Sequence, residues 1–307
     1  MKIFDARSTR EYLPWLALID ALRQMFRGGC EMPLRHHHQV AVPGEHIGVK
    51  VVNVMPGNGE RGLPTVVSNY LLSDARTGQM LALIDGGELT SRRTAAASAL
   101  AASYLARPDA SRLLIVGTGQ LALNMAAAHA SVRPIRQISV WGRHCERAQA
   151  IAEQLPALLG VEAEAVADLE AAVSQADIVS TVTLATKPLV HGAWLQPGTY
   201  LDLVGAFRPD MRESDDDAVR RASVFVDTRD GACKEGGDIV QALASGALTR
   251  EGIRADLHEL ARGEHPGRSD AAEITLFKSV GAALEDLAAA RLVWQRAAAR
   301  APTAGGA

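Results

Sequence analysis

The residues able to do chemistry in this chain fall into two groups, a glycine turn suited to phosphate and a set of cations suited to a carboxylate. The turn, Gly117-Thr118-Gly119-Gln120-Leu121-Ala122, is entered from the apolar run Arg112–Val116 and left through an alanine-rich stretch. In a Gly-x-Gly-x-x-Ala turn the first glycine permits the tight bend, the second lets backbone N–H groups approach a pyrophosphate, and the alanine packs helix against strand. A helix opening near Gln120 would direct its positive end at the phosphates. The same turn could simply join strand to helix in an α/β sheet. A second apolar run, Gln137–Trp141, follows at the spacing of a strand–helix–strand unit and favours the dinucleotide reading.

The end of that second run is where an acidic residue usually holds the ribose 2′-hydroxyl of NAD. Here it reads Trp141-Gly142-Arg143-His144-Cys145-Glu146-Arg147. Gly142 stands where a carboxylate is expected, while Arg143, His144 and Arg147 offer positive charge or donors to a 2′-phosphate. NADPH is the expected cofactor and NADH the alternative, with Glu146 as a carboxylate that could still reach a ribose.

Three cations make up the second group. Lys50 lies inside the apolar strand pattern Ile47–Val54, on the face shared by Gly48, Val52 and Val54. A lysine there needs a partner. Arg93 interrupts the alanine-rich segment Ser91–Ser98, and Arg35 follows Pro33-Leu34. Taken singly, each fits a structural ion pair or a snorkelling side chain. Beside a nucleotide domain, they together suggest a clamp for a small carboxylate, since arginine binds one bidentately and a buried lysine adds a point charge.

The elements that must position these groups divide the chain in two. Residues 8–27 have helical spacing, and Gln39–Val42, Ile47–Val54, Thr65–Leu72 and Gln79–Ile84 read as strands of an antiparallel sheet. Leu89 to Leu105 reads as helix, and Arg107-Pro108-Asp109 as a boundary. Beyond it, strands at 161–166, 177–182, 200–204 and 224–226 alternate with helices at 144–156, 168–175 and 215–221, the pattern of a parallel, doubly wound sheet. A last helix is expected over 275–298. The fold expected is therefore α/β: a Rossmann-type domain at 107–281, and a smaller α+β domain from 1–106 with 282–307.

Composition excludes other classes. A net charge of −3 gives no electrostatic support for a nucleic-acid or anionic-membrane partner. There is no signal core and no uninterrupted apolar run of spanning length, so a cytoplasmic location is expected. Cys30, Cys145 and Cys233 are odd in number and far apart, unlike a disulfide framework or a cysteine zinc site. His36-His37-His38 on an extended segment would point to alternating faces and cannot all converge on one ion, so no metal is expected.

Several stretches in order resemble the ornithine cyclodeaminase/mu-crystallin family along nearly the whole chain. They are Gly48-Val49-Lys50, the Pro56–Pro64 loop, Leu89–Ser98, the Gly117 turn and Ile274–Gly281. The resemblance implies catalytic roles for Lys50 and Arg93 and substrate contacts for Arg35, Lys50, Arg93 and Phe207. Thr181, Val182, Thr183 and Lys278 join the turn residues as expected cofactor contacts. It also implies a homodimer formed through the smaller, substrate-binding domain. One departure matters. In ornithine cyclodeaminases an aspartate thought to handle the substrate amine stands two residues after the glycine matching Gly205; here that residue is Phe207, in Gly205-Ala206-Phe207-Arg208-Pro209-Asp210. A phenyl ring cannot take a proton, and Asp210 lies three residues further on. Gly-Ala-Phe-x-Pro looks most like the pyrroline-2-carboxylate (cyclic ketimine) reductase branch. The expected activity is NAD(P)H-dependent reduction of pyrroline-2-carboxylate or piperideine-2-carboxylate to L-proline or L-pipecolate. The alternatives are ornithine cyclodeamination, alanine-dehydrogenase-like reductive amination and a non-enzymatic ligand-binding protein.

Overall fold

The computed structural model describes residues 2–29, 40–42, 45–61, 63 and 66–299. Its contacts divide the chain into two compact units, one containing the residues up to Arg93 and those from Ala283 on, the other Thr94–Ala282.

The first unit opens with β1 (Lys2–Phe4), α1 (Ala6–Glu11) and α2 (Trp15–Gly28). The single helix expected over 8–27 is thus two, because Pro14 lacks an N–H and disfavours helical backbone at Leu13; Pro14 is instead the N-cap of α2. Strands β2 (Val40–Val42), β3 (His46–Val54), β4 (Val66–Asp74) and β5 (Met80–Asp85) follow. The sheet order is β1-β5-β4-β3-β2, antiparallel except that β1 runs parallel to β5. The expected antiparallel sheet is therefore mixed: a three-residue strand at the N-terminus is too short to show alternation. Tyr70, Leu72, Ala82, Ile84 and Phe4 are buried on its inner face. Its outer face carries a cross-strand row, Val49 opposite Leu71, Leu71 opposite Leu83, and Leu83 opposite Ile3.

Helix α3 (Gly86–Leu105) follows, and the division between units falls inside it. Its second half belongs to the nucleotide unit, rather than ending the first at residue 106. Arg133 holds it there, donating to the carbonyls of Ala102, Ser103 and Ala106 at 2.7 to 3.1 Å.

The second unit runs β6 (Arg112–Val116), α4 (Ala122–Ala130), β7 (Gln137–Trp141), α5 (Cys145–Ala152), α6 (Leu155–Leu159), β8 (Glu162–Ala165), α7 (Leu169–Gln175), β9 (Ile178–Thr181), β10 (Tyr200–Leu203), α8 (Asp216–Arg221), β11 (Ser223–Val226), α9 (Arg229–Glu235), α10 (Gly237–Ser245), β12 (Ile253–Asp256), α11 (Leu257–Arg262) and β13 (Thr275–Lys278). These build an eight-stranded parallel sheet ordered β12-β11-β13-β10-β9-β6-β7-β8. Strand order reverses between β6 and β9, where open α/β sheets bind ligands at the carboxyl ends of their strands. β13 corrects the helix expected from residue 275. All four of its residues are fully buried between β10 and β11, and a strand covered on both faces shows no alternation to separate it from helix. Gly281, at φ +82°, then breaks the chain, and α12 (Ala283–Ala299) returns to the first unit to pack on α2 and β3. Among the described residues no helix is long and apolar enough to cross a membrane.

Candidate functional site

A cleft of about 490 Å³ lies at the strand-order reversal of the second unit, within the usual size of small-molecule sites. Gly117, Thr118 and Gly119 line it from the end of β6, Trp141, Gly142, Arg143, His144 and Arg147 from β7 and α5, and Val182, Thr183 and Lys187 from the segment after β9. Gly117 sits at φ +131°, and a Cβ there would lie 2.8 Å from the Val182 carbonyl oxygen. A Cβ on Gly119 would meet nothing within 4 Å. That glycine faces open space, as close backbone approach by a pyrophosphate requires. Arg143, Arg147 and Lys187 line the cleft with no carboxylate side chain among its lining residues. Glu146 is exposed and does not line it. This lining fits the phosphates of a dinucleotide.

The other expected cofactor residues, Gln120, Leu121, Ala122, Thr181 and Lys278, do not line the cleft. Ala122 is fully buried at the first turn of α4, Gln120 is exposed, and Leu121 caps the helix, which starts two residues later than expected. The Thr181 hydroxyl turns inward to the Asp202 carbonyl at 3.4 Å. Lys278 is fully buried: its ammonium donates to the Gly205 carbonyl and pairs with Asp238 at 3.2 Å.

Around Lys278 is a buried network that the sequence did not announce. Glu213 Oε1 accepts the Thr183 N–H at 2.7 Å and its hydroxyl at 2.8 Å. Asp238 Oδ1 accepts the amides of Glu213 and Ser214, both at 2.9 Å. Burial pushes the Glu213 carboxyl up to about 7; Lys278 opposes the shift and Asp238 adds to it. The network underlies the turn after β10, where Ala206 has φ +51°, the one positive φ of a non-glycine among the described residues. Such backbone persists only when its surroundings hold it; here the Gly237 amide donates to the Ala206 carbonyl at 2.8 Å. Phe207 follows, 47% exposed. Asp210 is held at the surface by Arg208, at 3.0 and 2.9 Å, which keeps its carboxyl below the usual carboxylate range.

In the first unit, Lys50 and Arg93 meet over the first turn of α12. Lys50 Nζ lies 3.2 Å from Asp286 Oδ1 and 3.3 Å from Oδ2. Arg93 Nε donates to Asp286 Oδ1 at 3.1 Å, and its terminal nitrogen to Glu285 Oε2 at 2.8 Å. Two cations and two carboxylates form one ion-pair cluster in which Glu285 is fully buried and the Lys50 side chain 18% exposed. Burial pushes the Lys50 ammonium below its ordinary value and Arg93 adds to this, while Asp286 pulls the other way. For Arg93 burial likewise opposes the charge, but Asp286 and Glu285 outweigh it and hold the guanidinium above its ordinary range. Neither carboxylate was anticipated, because acidic residues at a helix start already have a reason to be there in the helix dipole.

Arg35 lies outside the described residues, as do His36, His37, His38 and Cys30. Among the described residues no group of three or more His, Cys, Asp or Glu side chains could hold a metal.

The sequence profile of the ornithine cyclodeaminase/mu-crystallin family matches residues 37–301. A Delta(1)-pyrroline-2-carboxylate reductase from Paracoccus denitrificans is 45% identical over 249 residues, covering 80% of this chain and 78% of the relative. The solved structure of Thermococcus litoralis Delta(1)-pyrroline-2-carboxylate reductase, in complex with NADH and L-proline, superposes with a TM-score of 0.90 at 33% identity over 97% of this chain and 98% of that one. An archaeal alanine dehydrogenase dimer with bound NAD gives 0.88 at 30% identity, over 97% and 96%.

Proposed function

The chain belongs to the ornithine cyclodeaminase/mu-crystallin family, and from that premise we propose that it is a cytoplasmic, homodimeric reductase of cyclic imino acids. It converts pyrroline-2-carboxylate or piperideine-2-carboxylate to L-proline or L-pipecolate, with NADPH preferred over NADH. The observation that carries this reading is the turn after β10. Phe207 offers no base, and the nearby Asp210 is occupied by Arg208 at the surface, so this turn supplies no free carboxylate to assist loss of an amine. The named reductases with 34% to 45% identity support the same choice.

When bound, the reduced nicotinamide supplies a hydride to the imine carbon C2. The chain's own residues do the rest. Arg93 and, beyond the described residues, Arg35 grip the substrate carboxylate. Lys50 gives a proton to the ring nitrogen, and burial, by lowering its pKa, makes it a stronger acid for that step. Asp286, which accepts from both Lys50 and Arg93, keeps the ammonium in place. Phe207 packs on the apolar methylenes of the ring. In unit two, Arg143, Arg147 and Lys187 favour a 2′-phosphate.

The dimer reading is supported by the outer face of the first unit's sheet. There Ile3, Val51 and Val67 are 70%, 44% and 42% exposed around the apolar row from Val49 to Ile3. Exposed apolar side chains gathered on one sheet face, here interleaved with Asn53 and Asn69, support an interaction surface, and a second copy of the chain is the occupant proposed.

The deciding experiment compares the two imines with NADPH, pyruvate plus ammonia with NADPH, and ornithine with NAD. Oxidation of NADPH by an imine, without ammonia release from ornithine, is expected. Conversion of ornithine to proline would overturn the reductase reading.

A further inference from the structure

Gly142 has no conformational reason to be glycine, since its φ is not positive. It has a steric one. A Cβ at this position would lie 2.4 Å from Cγ2 of Thr118, 3.3 Å from Oγ1 and 3.5 Å from Cβ of the same side chain. Only the methyl contact is prohibitive; the other two are tight or ordinary. Thr118 is itself the middle residue of the glycine turn, between Gly117, which the Val182 carbonyl confines, and Gly119. The methyl can leave only by a change of the Thr118 χ1 rotamer, which as a β-branched side chain has few to choose from, or by a shift of the turn that carries it.

We propose that Thr118 is a specificity-determining residue: in the rotamer it adopts, its methyl occupies the space of a side chain at position 142 and so disfavours the carboxylate that would hold a ribose 2′-hydroxyl. This rests on the assignment of the cleft to a nicotinamide dinucleotide and deepens its NADPH preference. Discrimination then has two parts. Arg143, Arg147 and Lys187 attract a 2′-phosphate, and Thr118 removes the means of recognising an unphosphorylated ribose, an exclusion that acts against the wrong cofactor. The turn and the second strand therefore form one steric unit, although 24 residues separate the two positions in the numbering.

The test is a double-mutant cycle on cofactor binding, read by calorimetry with NADPH and with NADH separately. Gly142→Ala in the otherwise unchanged protein should weaken both cofactors roughly tenfold, because the Thr118 side chain or the turn that carries it must move to admit a methyl group. Thr118→Ser removes only the offending carbon, so in Thr118→Ser/Gly142→Ala the loss should fall to under about twofold. Thr118→Ser/Gly142→Asp should then move the NADPH to NADH affinity ratio about tenfold or more toward NADH relative to Thr118→Ser alone. Three outcomes would each overturn the proposal: Gly142→Ala binding both cofactors as the parent does, an equal loss with and without the Thr118 methyl, or Thr118→Ser alone shifting the ratio as far as the aspartate variant. Melting temperatures of the same proteins separate a shifted turn from an unfolded one. The parent's own ratio tests the NADPH reading independently, since the coupling between 118 and 142 is measurable on whichever cofactor binds.

Discussion

Lys50 is a cation whose surroundings set both its charge and its use. Lys50→Met should lower kcat/KM for the imine by about 10²- to 10⁴-fold, the range of a lost general acid, with the Kd for NADPH unchanged. Loss of cofactor binding together with activity would instead assign Lys50 to structure. Asp286 gives a finer test. It holds the Lys50 pKa up against burial, so Asp286→Asn should lower that pKa further and move the alkaline limb of the kcat/KM profile to lower pH. An unmoved limb would remove Lys50 as the proton donor. At the cofactor end, Arg143→Ala should raise the Kd for NADPH about 10- to 100-fold, the worth of one charge-assisted contact, and leave that for NADH little changed. How much of this was legible follows from distance along the chain. A lysine among valines states its need for a partner in seven residues of sequence, but Asp286 lies 236 positions away, and no local pattern links the two.

At the scale of elements, the turn after β10 shows how much a loop can cost to hold. Glu213 and Asp238 are buried acids that stabilise a strained backbone, and Glu213 retains its proton in the fold to about pH 7 against an ordinary value of 4.5. The unfolded chain releases that proton earlier, so between those pH values the folded state binds more protons and stability falls as pH rises. Glu213→Gln cannot ionise. Its melting temperature should decline less than the parent's from pH 4.5 to 7, while an identical decline would place the titration elsewhere. The alternating strands β4 and β5 were readable because one face of each is covered and the other is not, and α3, buried along nearly its whole length, was readable from its alanine-rich composition. β13 was not: Thr275-Leu276-Phe277-Lys278 is buried on both faces, and its lysine head is satisfied by Gly205 and Asp238, partners that exist only after the sheet is built. Of the glycine turn, Gly117, Thr118 and Gly119 line the cleft as a strand-to-helix turn would place them, yet Lys187, after β9, lines the same cleft with no local pattern to announce it.

For the whole molecule, the apolar outer face of the first unit's sheet predicts its assembly. Val51→Lys combined with Val67→Lys places charges on adjacent strands of that face. Light scattering should then report a species near the 32.6 kDa chain mass where the parent gives twice that. Two equal masses would remove this face from the interface. The same unit has a further property, set by where its last helix lies in the chain. Glu285 and Asp286 arrive 192 and 236 residues after the cations they neutralise, and a lysine and an arginine are costly to enclose without their counter-charges. During translation, then, the segment that leaves the ribosome first cannot close first. The uninterrupted stretch from Thr94 to Ala282 has all its strands before α12 exists, so order of folding should run opposite to order of synthesis. Ribosome-arrested chains with Ala282 just clear of the exit tunnel should resist protease within the nucleotide unit and be cut readily between residues 2 and 85. Early protection of that N-terminal stretch would mean that the nascent chain tolerates Lys50 and Arg93 unneutralised until its final helix emerges.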